Sequence, residues 1–376
     1  MNLESYLNPV NFSSFRYPEW VRESSCLGTL LRKNQISLPL KESRLVIIGL
    51  PEDRNALQKG SQCAPDAIRQ QLYLLNRIAP GLQLLDLGNL RQGKAIQDSY
   101  SALEAVCRYF RNEAIPILFL GGSQDLILPI ARSMQGEAYH LVTIDSLPDF
   151  DPEDVVLHSG NYLSQLWNES DEKARYTIMG YQNYLVDDSE LDQIREHHTE
   201  LIRLGNLRPR LDEAEPFLRD ADILSFDLQA LRYSDAPGQL IASPNGFHAE
   251  EACQLSLYAG MSAKLQLAGF FNYLPDRDQN QTTARLMAQL VWHYIRGTYE
   301  QSPENPLTHP EDFREYIVRI NETELPLIFY YSFKTERWWM KTGSPNPQSD
   351  QLIACTQADY KTASRGEIPD RWWKNL

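Results

Sequence analysis

Between residues 45 and 271 the chain alternates short apolar runs with stretches of helical periodicity, and this alternation restricts the fold more than any other feature. The apolar runs lie at 45–50, 83–87, 115–120, 140–144, 176–179, 200–203, 223–226 and 265–271. The helical stretches lie at 65–75, 100–111, 126–134, 162–167, 190–197, 213–218, 249–262 and 281–296. A strand that is apolar along its whole length is buried on both faces, and such strands separated by helices are βαβ units. The expectation is an α/β fold with one mostly parallel sheet of about eight strands. Pro65 suits a first helical turn, where its missing N–H costs nothing.

Two of the runs end abruptly in acids. Thr143 and Ile144 are followed by Asp145, Ser146, Leu147, Pro148 and Asp149, and the run at 223–226 is followed by Asp227. Ligands and metals bind at the carboxyl ends of strands in a parallel sheet, so the three carboxylates are expected to converge on that edge. No histidine stands beside any of them.

The chain has 376 residues, 42% of them apolar and 23% charged, enough for a large core in one α/β domain or two smaller ones. Its longest apolar stretches, 115–120 and 326–331, fall far short of the roughly 20 residues that a membrane span needs. The first 20 residues lack the basic start and apolar centre of a secretory leader, so a cytoplasmic protein is expected. Cys26, Cys63, Cys107, Cys253 and Cys355 are odd in number, scattered and without a C-x-x-C pair, which opposes a disulfide framework or a thiolate metal site. The net charge of −14 opposes nucleic acid and anionic membrane as partners. Ser123 lies in Gly-Gly-Ser-Gln-Asp, not in the G-x-S-x-G of a nucleophile elbow, and residues 49–60 carry neither a dinucleotide nor a P-loop fingerprint.

After Gly297 the alternation stops. The chain divides into an arm at 1–44, the α/β region at 45–297 and an aromatic-rich extension at 298–376 that follows a proline-containing polar link at 302–307. Strands are expected at 317–320 and 325–333, and two related motifs, RWWMK from Arg337 and RWWKN from Arg371, have two readings. The tryptophans and arginines pack a small appendage onto the main region, or they form an interface through which copies of the chain assemble into a homo-oligomer.

Seven segments in order carry a family resemblance. FLGGSQDL (119–126), TIDSLPDFD (143–151) and SFDLQALRYSDAPG (225–238) resemble the three metal-site segments of the ureohydrolase superfamily, which includes arginase, agmatinase and formimidoylglutamase. LVIIGLPEDRNALQKGSQCAPDAIR (45–69), LLDLGNL (84–90), SPNGFHAEEA (243–252) and NYLPDRDQNQTTARLMAQL (272–290) are similar to its other segments. The resemblance implies a three-layer αβα, arginase-like fold over about residues 45–297. It also implies a small guanidino or amidine ligand and a pair of manganese ions, which activate water for attack on that ligand's carbon. In the family the three segments read G-G-D-H-S, D-A-H-x-D and S-x-D-x-D, giving two histidines and four aspartates as ligands. Two neighbouring dications need several carboxylates to neutralise their repulsion.

This chain keeps part of that set. Asp145, Asp149 and Asp227 stand at aspartate positions, whereas Gln124 and Leu147 replace the histidines and Gln229 the fourth aspartate. On the substrate side, Asn272 replaces a glutamate and Arg232 an aspartate. The expectation is a protein that has lost the dinuclear centre and amidine C–N hydrolysis, holds no cofactor, and serves as a binding or scaffold protein. The alternative is an active formimidoylglutamase-like hydrolase with one Mn or Mg ion on Asp145, Asp149 and Asp227, helped by Gln124 or Asp125. His158 and His248 are the histidines that the resemblance places near the rim. Three carboxylates without a cation must share a proton, an arginine or an ion, and Arg232 or a water network is expected to serve before a metal.

Overall fold

The computed structural model describes residues 1–12, 15–19, 21–34, 40–169, 173–197, 199–320, 326–342 and 351–374. All eight expected strands form: β3 (Leu45–Gly49), β4 (Leu84–Leu90), β5 (Ile117–Leu120), β6 (Tyr139–Ile144), β7 (Ala174–Tyr181), β8 (Thr199–Arg203), β9 (Ile223–Asp227) and β10 (Leu267–Phe271). Two short strands of the arm, β1 (Leu7–Asn8) and β2 (Arg32–Lys33), raise the count to ten. The order is β1-β4-β3-β5-β10-β9-β6-β7-β8, with β2 also on β4, and every pairing except β1 with β4 is parallel. β5, β6 and β9 are buried at every position, as their unbroken apolar sequence requires.

Two apolar cores lie on opposite faces of this sheet. One gathers α1 (Ala64–Leu72), α7 (Glu215–Asp220), α8 (Ala249–Gly260) and α9 (Thr282–Tyr299). The other gathers α2 (Ile96–Asn112), α3 (Ile127–Arg132), α4 (Tyr162–Glu169) and α5 (Asp188–Glu196), which completes the three layers. α8 and α9 approach so closely that a Cβ on Gly297 would lie 2.4 Å from the Leu257 carbonyl oxygen, so a larger residue is excluded there. α9 therefore runs through Gly297, where the sequence changes character, and ends at Tyr299.

The extension forms a four-stranded antiparallel sheet in the order β11 (Phe313–Val318), β12 (Leu327–Ser332), β13 (Trp338–Thr342), β14 (Gln351–Cys355), followed by α10 (Gln357–Ser364) and α11 (Asp370–Trp373). The strand expected at 325–333 is β12; Leu325 itself lies outside the described residues. Trp338, Trp339 and Trp372 are buried, and of the four tryptophans in the two motifs only Trp373 is exposed. The packing reading of these motifs has a direct physical basis. The Arg219 guanidinium lies 4.3 Å from the Trp339 ring centroid and donates to the Trp338 carbonyl at 2.9 Å. Glu215 pairs with both Arg219 at 3.2 Å and Arg337 at 3.1 Å, and Arg371 stacks 3.8 Å over Phe217. One short helix, α7, thus carries the contacts that seat both motifs.

Candidate metal centre

The four central strands β5, β10, β9 and β6 are consecutive neighbours, and each delivers one polar side chain at or just past its carboxyl end: Gln124, Asn272, Asp227 and Asp145. The turn after β5 needs glycine. Gly121 and Gly122 have φ of 71° and 78°, and a Cβ on Gly122 would lie 2.7 Å from the Leu50 carbonyl oxygen. Asp149 reaches the same place from the loop after β6 with a left-handed φ of 47°. Asp145, Asp149 and Asp227 each present a carboxylate oxygen, and these oxygens lie within 4.8 Å of one another. Asp145 and Asp227 have no solvent exposure and Asp149 has 8%.

The hydrogen bonds fix the orientation of both amides. The Gln124 backbone N–H can only donate, and it donates to Asn272 Oδ1 at 3.2 Å. Asn272 Nδ2 must then face the other way, where it donates to Asp227 Oδ2 and to Gln124 Oε1. With Oε1 taken as an acceptor, Gln124 Nε2 is a donor, and it faces Asp145 Oδ2 at 3.1 Å, Ser225 Oγ at 3.1 Å and the Tyr162 hydroxyl at 3.3 Å. The remaining oxygens of the two acids accept backbone N–H groups: Asp145 Oδ1 from Leu147 at 3.1 Å, and Asp227 Oδ1 from Gln229 at 2.6 Å. Both oxygens of Asp145 and both of Asp227 therefore already face N–H donors.

Asp149 differs from its neighbours. Its Oδ2 is buried without a hydrogen-bond partner, as is Gln229 Oε1. Asp149 and Gln229 line the same cavity of about 20 Å³, space for about one water, beneath Leu57, Leu240 and Leu274. Burial pushes the Asp145 carboxyl up to about 6. It pushes Asp149 well above the usual carboxylate range, with the charges of Asp145 and Asp227 adding to the effect. Asp227 is likewise raised well above that range by burial and then by Asp145. A proton in this cluster belongs on Asp149, which has two acidic neighbours and an Oδ2 without a donor.

The other candidate residues are not part of the cluster's hydrogen bonding. Arg232 pairs with Asp235 at 2.9 Å, correcting the expectation that its guanidinium neutralises the carboxylates. The pairing is local, three residues apart, and takes the arginine before the sheet edge can. Asp125 accepts from Ser123 Oγ and from the Tyr100 hydroxyl, whose other partner is Asn55, so this acid is committed to α2 and not to Gln124's side of the site. His158 Nε2 lies 3.1 Å from Asp154, and its Nδ1 accepts the Gly160 N–H, which folds the 154–161 loop on itself. The His248 backbone N–H donates to Glu251 at 2.8 Å as the start of α8. Leu147 is half-buried and packs against the apolar core on the α2–α5 face. Tyr162 and Ser225 complete the cluster without a sequence signal that singles them out.

The family model described as "Arginase family" matches residues 43–296, more than half of the chain. The chain belongs to the arginase family. Among curated relatives, a formimidoylglutamase of Staphylococcus aureus (strain JH9) is 24% identical over 313 residues, covering 78% of this chain and 96% of the relative. Among solved structures, the formimidoylglutamase of Bacillus subtilis matches with a TM-score of 0.67 at 17% identity, over 78% of this chain and 97% of that one. A Trypanosoma cruzi formiminoglutamase, solved with Mn2+, matches with a TM-score of 0.65 at 21% identity, over 72% and 98%. At these identities the solved structures establish the fold, and the arginase-family carboxylate edge is where this chain gathers its acidic triad.

Proposed function

We propose that this arginase-family chain closes its carboxylate cluster with amide hydrogen bonds and a proton in place of two manganese ions, does not hydrolyse amidine C–N bonds, and works as a binding or scaffold protein. The observation that carries this reading is the paired donors Gln124 and Asn272, which occupy Asp145 Oδ2 and Asp227 Oδ2 with N–H groups. An N–H donor and a cation compete for the same lone pair. The rest of the donor set argues the same way. Leu147 has no ligating atom, and three carboxylates undercharge a pair of dications. The residues present do not fit a dinuclear centre.

One observation favours a second reading with a single Mn or Mg ion. Asp149 Oδ2 and Gln229 Oε1 are both buried acceptors without partners, and their residues share the small cavity. One oxygen-liganded cation would satisfy both, as would a water or a proton. Elemental analysis of protein never exposed to chelator separates these readings, combined with assays for urea and formamide release after incubation with manganese and arginine, agmatine, formimidoylglutamate or guanidino acids. The expected result is substoichiometric metal and no product. One metal per chain with turnover favours the second reading in its active form, one metal without turnover keeps the ion but not the hydrolysis, and two metals with turnover overturns both.

A further inference from the structure

The geometry points to a second ligand site, for a small carboxylate- or phosphate-bearing anion, in the cavity where the amino-terminal ends of β6, β7 and β8 meet the extension. The cavity measures about 450 Å³, metabolite-sized, and lies at the opposite end of the strands from the carboxylate cluster. Its walls come from two sources. His140, Arg175 and Glu200 stand on the sheet, while Ala354, Arg371 and Lys374 belong to the extension, beyond the segment that matches the arginase family. The site therefore exists only in a chain that carries this extension.

The sign of the ligand follows from the charges. Arg175, Arg195, Arg371 and Lys374 line the cavity against two carboxylates, Glu200 and Asp220, in a chain whose net charge is −14. Asp220 is already used, accepting the Ala354 N–H at 2.8 Å, and Glu200 pairs with Lys374 at 2.9 Å. Arg195 pairs with Asp192 and Arg371 approaches Asp359 at 3.5 Å, but neither of those aspartates belongs to the wall. The Lys374 and Arg195 side chains are about half exposed, where ion pairs are nearly neutral in free energy and give way to a ligand.

The independent observation is His140. Its ring is buried, its Nε2 lies 2.8 Å from Thr177 Oγ1, and its Nδ1 has no hydrogen-bond partner. Burial, reinforced by Arg175, Lys264 and Arg371, holds the ring neutral against the opposing pull of a backbone hydrogen bond with Asp220. A neutral ring can carry its proton on Nδ1 while the Thr177 hydroxyl donates to Nε2. The neutral ring brings no negative charge to a wall that carries Arg175, Arg195, Arg371 and Lys374, and an anionic oxygen beside Nδ1 supplies it.

The test is calorimetric titration of the full chain at constant ionic strength with inorganic phosphate, with citrate, and with agmatine as a cationic control. Saturable binding of phosphate or citrate at about one per chain, with millimolar or tighter affinity, is expected, and no binding of agmatine at this site. Binding of phosphate alone or of citrate alone supports the site and identifies which anion it takes. The double variant Lys374→Gln/Arg195→Gln, at exposed positions, is expected to weaken binding about tenfold without changing the unfolding temperature of the free protein. Ligand is also expected to move the Nδ1 resonance of His140 in ¹⁵N-labelled protein. Absence of saturation by about 10 mM with both anions, or unchanged affinity in the double variant, overturns the inference.

Discussion

Replacing Asp149 by asparagine tests the closed cluster most directly, because this acid carries the unpaired oxygen. The backbone tolerates the change, since Asn is among the residues that accept a left-handed conformation and φ here is 47°. The amide also supplies the N–H that a protonated Asp149 would offer to Asp145. The wild-type Asp149 carboxyl is raised well above its ordinary 3.8. Between those limits the native state holds a proton that the unfolded chain releases, so stability is highest on the acid side and falls as pH rises toward the folded value. Each pH unit across which the native state alone holds that proton is worth about 1.36 kcal/mol. Asp149→Asn removes that proton, while Asp145 and Asp227 titrate in both proteins. The variant is therefore expected to gain steadily on wild type as pH rises above the ordinary carboxylate range, by about 1.4 kcal/mol per unit, and to lose that advantage near pH 4. Urea unfolding of chelator-treated protein at several pH values measures the gap. A gap that does not change with pH refutes the argument. A variant less stable than wild type, with wild type alone stabilised by added manganese, transfers support to the single-ion reading.

Two further substitutions probe the amides and the extension. Asn272→Ala strips Asp227 Oδ2 and the Gln124 backbone N–H of their partners and puts alanine at a φ of 62°; a loss of ~2–4 kcal/mol in urea unfolding is expected, and a neutral result contradicts the clamp. Glu215→Ala leaves the guanidinium groups of Arg219 and Arg337 without their shared carboxylate beneath the tryptophan sheet. A loss of ~3–5 kcal/mol is expected, with red-shifted tryptophan emission and faster proteolysis after residue 299; unchanged emission would show that the extension is seated by other contacts.

The sheet was legible because burial on both faces leaves a local trace: runs such as Ile117–Leu120 and Ile223–Asp227 are apolar almost throughout, whatever they pair with. The arm's strands were not, because two residues such as Arg32 and Lys33 carry no pattern. Within the site, the convergence of Asp145, Asp149 and Asp227 followed from their places after strand ends, and the resemblance marked Gln124, Gln229 and Asn272 as departures. The direction of each side chain did not follow. Asp125 adjoins Gln124 in sequence yet turns to Tyr100, 25 residues away, and only the packing of α2 decides that. Arg232 was the exception with a readable signal, since Asp235 stands three residues on, at the spacing of a local ion pair.

The substitutions in the cluster make physical sense together and not singly. Two divalent ions bring four positive charges, so a site without them must shed negative charge and recruit donors. Gln229 and Asn272 each stand where the family resemblance places a carboxylate, and each removes one negative charge. Gln124 and Asn272 also supply N–H groups to Asp145 and Asp227, and the Leu147 and Gln229 backbones supply the others. That leaves Asp149, on which, in the function proposed above, a single proton completes the balance against burial and two acidic neighbours. Either amide needs the other. Gln124 Oε1 accepts from Asn272, and Asn272 Oδ1 accepts from the Gln124 backbone, so a carboxylate at 272 would turn an acceptor toward Asp227 and leave Gln124 Oε1 without its donor. Accumulated independent losses would leave buried groups facing like partners. In this cluster nearly every buried oxygen faces a donor, and the two that do not, on Asp149 and Gln229, belong to the walls of one cavity.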